Sequence, residues 1–171
     1  AVVICLLQGA VLGGGFGLAC ISDVAIAEAS AKFALPETSL GIIPAQIAPF
    51  VVQRIGLTAT RRMALLGVRI DAQQALTIGL VHQVAEDEDD LAKQLSQTIK
   101  LALKCAPKAN QVTKALLHDV AELPLTDLLD NAAINFAKTV SGEGREGAKA
   151  FIEKRPAEWA KKYIFISKVK C

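Results

Sequence analysis

Three consecutive glycines, Gly13 to Gly15, with a fourth at Gly17, stand between an apolar β-branched run and a segment rich in small residues. A chain that places AVVICLL ahead of GGGFGLACISD is committed to a strand, a glycine turn and a helix. The opening run is short and apolar, which suits a strand buried on both faces, and Gly9 closes it. Helical character begins at about Gly14. VAIAEAS then returns to strand-like branching before polar punctuation at Ala29 to Lys32. Strand, turn, helix, strand is an α/β opening.

Such a turn leaves unsatisfied backbone N–H groups at the positive end of a helix, where the missing side chains let an oxygen atom approach. An anion or a developing oxyanion belongs there. One reading is a dinucleotide site, because Glu37 falls 20 positions beyond Gly17, about where a ribose-binding acid would stand. The spacing opposes it: Gly13, Gly14, Gly15 and Gly17 cannot supply GxGxxG, since the third position falls on Leu18 or Cys20. The plain structural alternative is a glycine cluster serving tight helix packing.

Pro36, Gly41, Pro44 and Pro49 break any long periodicity in KFALPETSLGIIPAQIAPFVVQRIG, so Phe33 to Ile43 reads as a loop with short extended pieces. Loops of this kind often carry function. Phe50, Val51 and Ile55 lead into a helix over LTATRRMALLGVR, with Thr58 as N-cap and Gly67 as stop. DAQQALTIGLVHQVA offers Asp71 as N-cap, a short helix ending at Gly79, and a strand-like LVHQVA. Beyond it, Asp89 to Cys105, Ala109 to Val120 and Leu125 to Val140 show apolar spacings of three and four, the mark of amphipathic helices. A polar glycine turn and one more amphipathic helix follow. The acidic run at Glu86 to Asp90 reads as a solvated helix approach.

The chain has 171 residues, 52% of them hydrophobic and only 5% aromatic, enough for a sizeable aliphatic core. A net charge of +2 from 19 basic and 17 acidic residues gives no field that argues for nucleic acid or a membrane surface. Cys5, Cys20, Cys105 and Cys171 show no metal-ligand spacing and no CxxC, which points to a reducing compartment and to no metal. No run reaches the roughly 18 apolar residues of a membrane span, and no basic leader precedes the first strand. The expectation is a soluble cytoplasmic protein with a small-molecule ligand. His82 and His118 have no nearby nucleophile in sequence and read as structural or solvated.

GAVLGGGFGLACISDVAIA, followed at the right distance by AKFALPETSLGIIP, resembles the enoyl-CoA hydratase/isomerase (crotonase) superfamily, and the match continues through GLTATRRMALLG, DAQQALTIGLVHQV and AFIEKR. Within it, GGGFGLA and PAQIAPFVV resemble the hydratases acting on isohexenylglutaconyl-CoA and, next, on methylglutaconyl-CoA. The resemblance implies an α/β crotonase-like (ClpP/crotonase) spiral fold, of which this chain holds the C-terminal portion. Residues 1–85 would be spiral core with the oxyanion glycines and the acid/base loop. Residues 86–171 would be a helical region for trimerisation and CoA contacts.

By the same resemblance the Gly14 N–H receives the thioester oxygen of an acyl-CoA, and Glu37 is the acid/base that activates water. A second glutamate common in the family is absent, its position being Gly17. Gly13, Gly15, Gly17, Pro36 and Gln46 would contact substrate, Gln46 having loop packing as its alternative. Phe151 and Lys154 match positions near adenine and phosphate of CoA, against the plain reading of a helix with one buried phenylalanine and one exposed lysine. No cofactor is implied beyond the coenzyme A of the substrate. The partners implied are further copies in a trimer or hexamer, with the family's N-terminal region coming from another chain, lost by cleavage or missing from the sequence. Hydration of a branched enoyl-CoA is the leading expectation. An isomerase, a noncatalytic subunit and a nucleotide-binding protein are the alternatives.

Overall fold

The computed structural model describes residues 1–161, so the Cys171 thiol lies outside the described residues. The chain divides into two compact units, Val2–Gln97 and the part from Thr98 onward. No described helix is long and apolar enough to cross a membrane.

In the first unit, β1 (Ile4–Leu7), β2 (Ala10–Leu12), α1 (Gly14–Ile21), β3 (Val24–Glu28) and β4 (Lys32–Ala34) are followed by a 3-10 turn at Glu37–Leu40. Then come α2 (Ala48–Leu66), β5 (Ile70–Asp71), α3 (Ala72–Thr77) and β6 (Gln83–Ala85). Two three-stranded sheets result. One has the order β1-β3-β6, all parallel; the other has β2-β4-β5, with β2 and β4 parallel and β5 antiparallel to β4. Its register pairs Leu12 with Ala34, so β2 and β4 run out side by side.

The aliphatic composition shows in the core. Phe16, Ala19, Ala25, Ala27, Phe33, Leu35, Val51, Met63 and Leu80 are fully enclosed, and small alanines let α1 and β3 lie close to their neighbours. A smaller cluster joins Ile26, Ala85 and Leu91. Asp71 begins α3 with a reciprocal cap, its carboxylate accepting the Gln74 N–H at 2.8 Å while Gln74 accepts the Asp71 N–H at 3.1 Å.

Two local expectations change. α2 consists of two helical segments that meet at Gly56 (φ 74°, ψ 162°): the expected one follows the break, and an additional one precedes it from Ala48, with Pro49 in its first turn. Thr58 is therefore helical and not a cap, and the Thr60 hydroxyl donates instead to the Gly56 carbonyl at 2.8 Å. The residues just ahead of the glycines form β2, which is too short to show a period.

In α4 (Glu88–Lys104), which contains the division between the units, the acidic run is a cap as well as a solvated approach. Asp87 accepts the Asp90 N–H at 2.9 Å, and three acids occupy the first turn, where the helix dipole favours them. The second unit continues with α5 (Pro107–Asp119), α6 (Leu125–Thr139), a π-helical turn over Val140–Gly144, α7 (Arg145–Ile152) and α8 (Glu158–Lys161). The expected glycine turn is thus a wide helical turn with Gly142 off the helical conformation. Its Glu143 carboxylate accepts the N–H groups of Lys108 and Ala109, both at 3.0 Å, and so caps α5, which has no cap of its own.

Candidate active site

β2 and β4 are adjacent and parallel, and each runs from its carboxyl end into a segment that holds candidate site residues. β2 delivers the glycines; β4 delivers Leu35, Pro36 and Glu37. In parallel sheets ligands gather outside the carboxyl ends of strands. Gly13 extends the pairing by one step, its N–H donating to the Ala34 carbonyl at 3.2 Å, and then turns away at φ 50°, ψ −115°. That backbone is strained for any residue with a Cβ. The Gly13 carbonyl accepts the Gly17 N–H at 3.0 Å and opens α1, leaving the first N–H groups, Gly14 among them, without an intrahelical partner.

Glu37 is the first residue of the 3-10 turn and lies against this opening. A Cβ built on Gly13 would sit 3.2 Å from Glu37 Oε1. The turn is held from several directions: Thr38 Oγ1 donates to the Ala64 carbonyl of α2 at 2.6 Å, Ser39 Oγ donates to the Pro36 carbonyl at 2.6 Å, and the Glu37 carbonyl accepts the Ile42 N–H at 3.1 Å. Leu35, almost fully buried, anchors the approach. Glu37 Oε2 is buried and accepts no hydrogen bond among the described residues. A buried carboxylate oxygen without a donor is costly. Beside an open helix N-terminus, it is placed to take a proton or to hold water.

Gly13, Gly14, Pro36 and Glu37 are thus brought together. Gly15 lies over its own strand, with Val11 Cγ1 3.9 Å from where its Cβ would be. Gly17 is buried, and a Cβ there would meet Ile47 Cγ2 at 2.5 Å and Ile47 Cβ at 3.0 Å. Gln46 is exposed in the turn before α2. Phe151 and Lys154 belong to the second unit; Phe151 is 86% exposed rather than buried, and Lys154 takes a positive φ of 51° just after α7.

Arg54 carries no signal in the sequence, and nothing in the sequence pairs Ile47 with Gly17. Ile47 lies in a loop with no period, and the structure sets it against Gly17. Arg54 donates from Nε and Nη2 to the Leu80 carbonyl (3.1 and 3.0 Å) and from Nη1 to the Ser22 carbonyl (3.2 Å), tying α2 to the C-cap of α1 and to the connection between α3 and β6. His82 Nδ1 accepts the Ala25 N–H at 2.9 Å and lies 3.4 Å from Arg54 Nη2. Burial, then Arg54, lowers the His82 pKa. The ring is a strand-to-strand clasp, in keeping with a structural role.

The enoyl-CoA hydratase/isomerase family matches residues 1–162. The chain belongs to that family. Among solved structures it is similar to an enoyl-CoA hydratase/isomerase from Marinobacter aquaeolei, at 58% identity and a TM-score of 0.90, covering 93% of this chain and 61% of that one. It is equally similar to Pseudomonas aeruginosa AtuE, at 57% identity and a TM-score of 0.90, covering 92% and 61%. Among curated relatives, the 2,3-dehydroadipyl-CoA hydratase of Escherichia coli is 34% identical over 159 residues, 92% of this chain and 62% of the relative. The mevalonyl-coenzyme A hydratase sidH of Aspergillus fumigatus is 32% identical over 161 residues, 92% and 59%. The chain spans about three fifths of the length of these relatives. The α/β crotonase-like fold, with a helical C-terminal region, is the one the sequence led us to expect.

Proposed function

We propose that the protein carrying this chain is an acyl-CoA hydratase, adding water across the double bond of a branched enoyl-CoA. The observation that carries the reading is the pairing of an open α1 N-terminus with the orphaned Glu37 Oε2. The thioester oxygen accepts the Gly14 N–H. Glu37 takes a proton from water as the water oxygen bonds to the β-carbon, the double-bond electrons move toward the thioester oxygen as an enolate, and a proton then reaches the α-carbon. A helix-end N–H aimed at that oxygen acts where charge develops, and a donor of this kind contributes about 3 to 4 kcal/mol to the barrier. With Gly17 where a second carboxylate would stand, Glu37 handles both protons, unless the substrate's own carboxylate assists.

The substrates we favour are isohexenylglutaconyl-CoA and 3-methylglutaconyl-CoA, on the likeness of GGGFGLA and PAQIAPFVV to hydratases of that branch. Phe151 and Lys154 would contact the CoA, no other cofactor would be required, and the working form would be a trimer or a dimer of trimers in the cytoplasm. A second reading, double-bond isomerisation, is favoured by Gly17, because moving a double bond needs only one proton-shuttling carboxylate.

The test is turnover of both substrates by the native protein and its Glu37→Gln variant, alongside intact mass of the assembly. Loss of enone absorbance with uptake of labelled water supports hydration; double-bond migration without uptake supports the isomerase. Loss of general acid–base catalysis costs on the order of 10²- to 10⁴-fold. A Glu37→Gln variant that keeps full turnover would overturn Glu37 as the acid/base.

A further inference from the structure

Gly17 and Ile47 share one volume. Gly17 is four residues beyond Gly13 on α1, hence on the same helix face and about 6 Å further along the axis. The Glu37 carboxylate covers the face at Gly13; Ile47 covers it at Gly17, its Cγ2 2.5 Å and its Cβ 3.0 Å from where a Cβ on Gly17 would lie. The overlap includes a branch-point carbon, which no rotation of Ile47 removes. Ile47 is half-buried: one side packs on the core that includes Phe16 and Val51, and the rest is open beside exposed Ala45 and Gln46.

We propose that Ile47 is the specificity-determining residue of the site, an apolar wall one helical turn from the reacting end that limits the bulk of the acyl group. The proposal rests on the enoyl-CoA reading above. An acyl group whose thioester oxygen is held at Gly14 and whose unsaturated carbons face Glu37 meets Ile47 as the next side chain over α1. Shortening Ile47 opens room for bulk; enlarging it removes room.

The experiment measures kcat/KM of the native protein for isohexenylglutaconyl-CoA and for 3-methylglutaconyl-CoA, in wild type and in Ile47→Ala, Ile47→Val and Ile47→Phe. One methylene in an apolar pocket changes discrimination by about 10- to 200-fold. The larger-to-smaller ratio should therefore rise at least tenfold in Ile47→Ala, rise less in Ile47→Val, and fall in Ile47→Phe. A merely structural role would lower the melting temperature and both rates together without moving the ratio in opposite directions. If the Ile47→Phe variant does not fold, the graded Ile47→Val and Ile47→Ala ratios still decide. A constant ratio across the folded variants, with wild-type turnover intact and Glu37→Gln inactive, overturns the proposal and leaves the hydratase reading standing. Wild type inert toward both acyl-CoAs overturns the reading itself, and the proposal with it.

Discussion

Gly13→Ala and Gly14→Ala add the same methyl to neighbouring residues, and the structure assigns them opposite outcomes. At Gly13 the backbone sits at φ 50°, ψ −115°, a conformation costing roughly 1 to 3 kcal/mol for a residue with a Cβ. The new carbon also stands 3.2 Å from Glu37 Oε1, so the carboxylate must move by a few tenths of an ångström, adding about 1 kcal/mol of crowding. The expected loss is roughly 2 to 4 kcal/mol. At Gly14, the first helical residue, nothing lies within 4 Å of the added carbon, and Ala restricts the unfolded chain. The expected change is a gain of at most about 1 kcal/mol. Urea unfolding of the native protein and both variants, with the slope checked for constancy, reads the difference directly. Equal midpoints would refute the strained Gly13 turn and its contact with Glu37.

His82 gives a pH dependence with a definite sign. Its pKa is lowered in the fold, so the unfolded chain binds the extra proton first; His82 contributes stability above pH 6.5, which is lost as pH falls through 6.5 toward the folded value. Denaturant midpoints between pH 7.5 and 5 should fall in wild type and flatten in His82→Gln. Glu146 is held down to about 2, chiefly by hydrogen bonds from Arg155 at 2.7 and 3.0 Å. Its stabilisation is therefore present above pH 4.5 and lost between 4.5 and 2, and the emission of Trp159, whose indole N–H donates to the Lys104 carbonyl at 3.0 Å, should follow that loss in wild type and not in Glu146→Gln. Burial raises the Cys20 thiol to about 11, while Cys105 is exposed. Mass-mapped alkylation at pH 8 should mark Cys105 early and Cys20 only after unfolding; early labelling of Cys20 would contradict its burial.

The parts of the candidate site that are legible in the sequence are those that depend on local chemistry. A triple glycine between an apolar run and small residues has few uses besides a turn into a helix, and LPETSLG after a strand marks a loop with an acid in it. Asp71, Gly67 and Gly79 announced their helix ends because capping is a matter of a few adjacent residues. Thr58 stands one position inside the segment that follows Gly56, and sequence alone does not separate a cap from a first-turn residue; Pro49 looks like a break in sequence but stands in a first turn. The pairings of Ile47 and Arg54 are illegible for another reason. Their importance comes from partners 30 and 26 residues away, at Gly17 and at the Leu80 carbonyl, and no local pattern encodes such pairings.

Those long-range pairings also explain how two short strands hold a site. β2 and β4 contribute three residues each, too little to be stable alone. Their register, Leu12 beside Ala34, is extended by the Gly13 N–H on the Ala34 carbonyl, so the strand that ends in the glycines and the strand that leads to Glu37 are fixed at their last residues. Thr38 on the Ala64 carbonyl then ties the far side of the acid-bearing turn to α2, the helix whose N-cap is Ile47. The Gly14 N–H, the Glu37 carboxylate and Ile47 are therefore positioned by one chain of contacts, and slippage in the β2–β4 pairing would displace all three together. For that reason the site's geometry should fail cooperatively, with Gly13→Ala disturbing Glu37 and the α1 N-terminus at once.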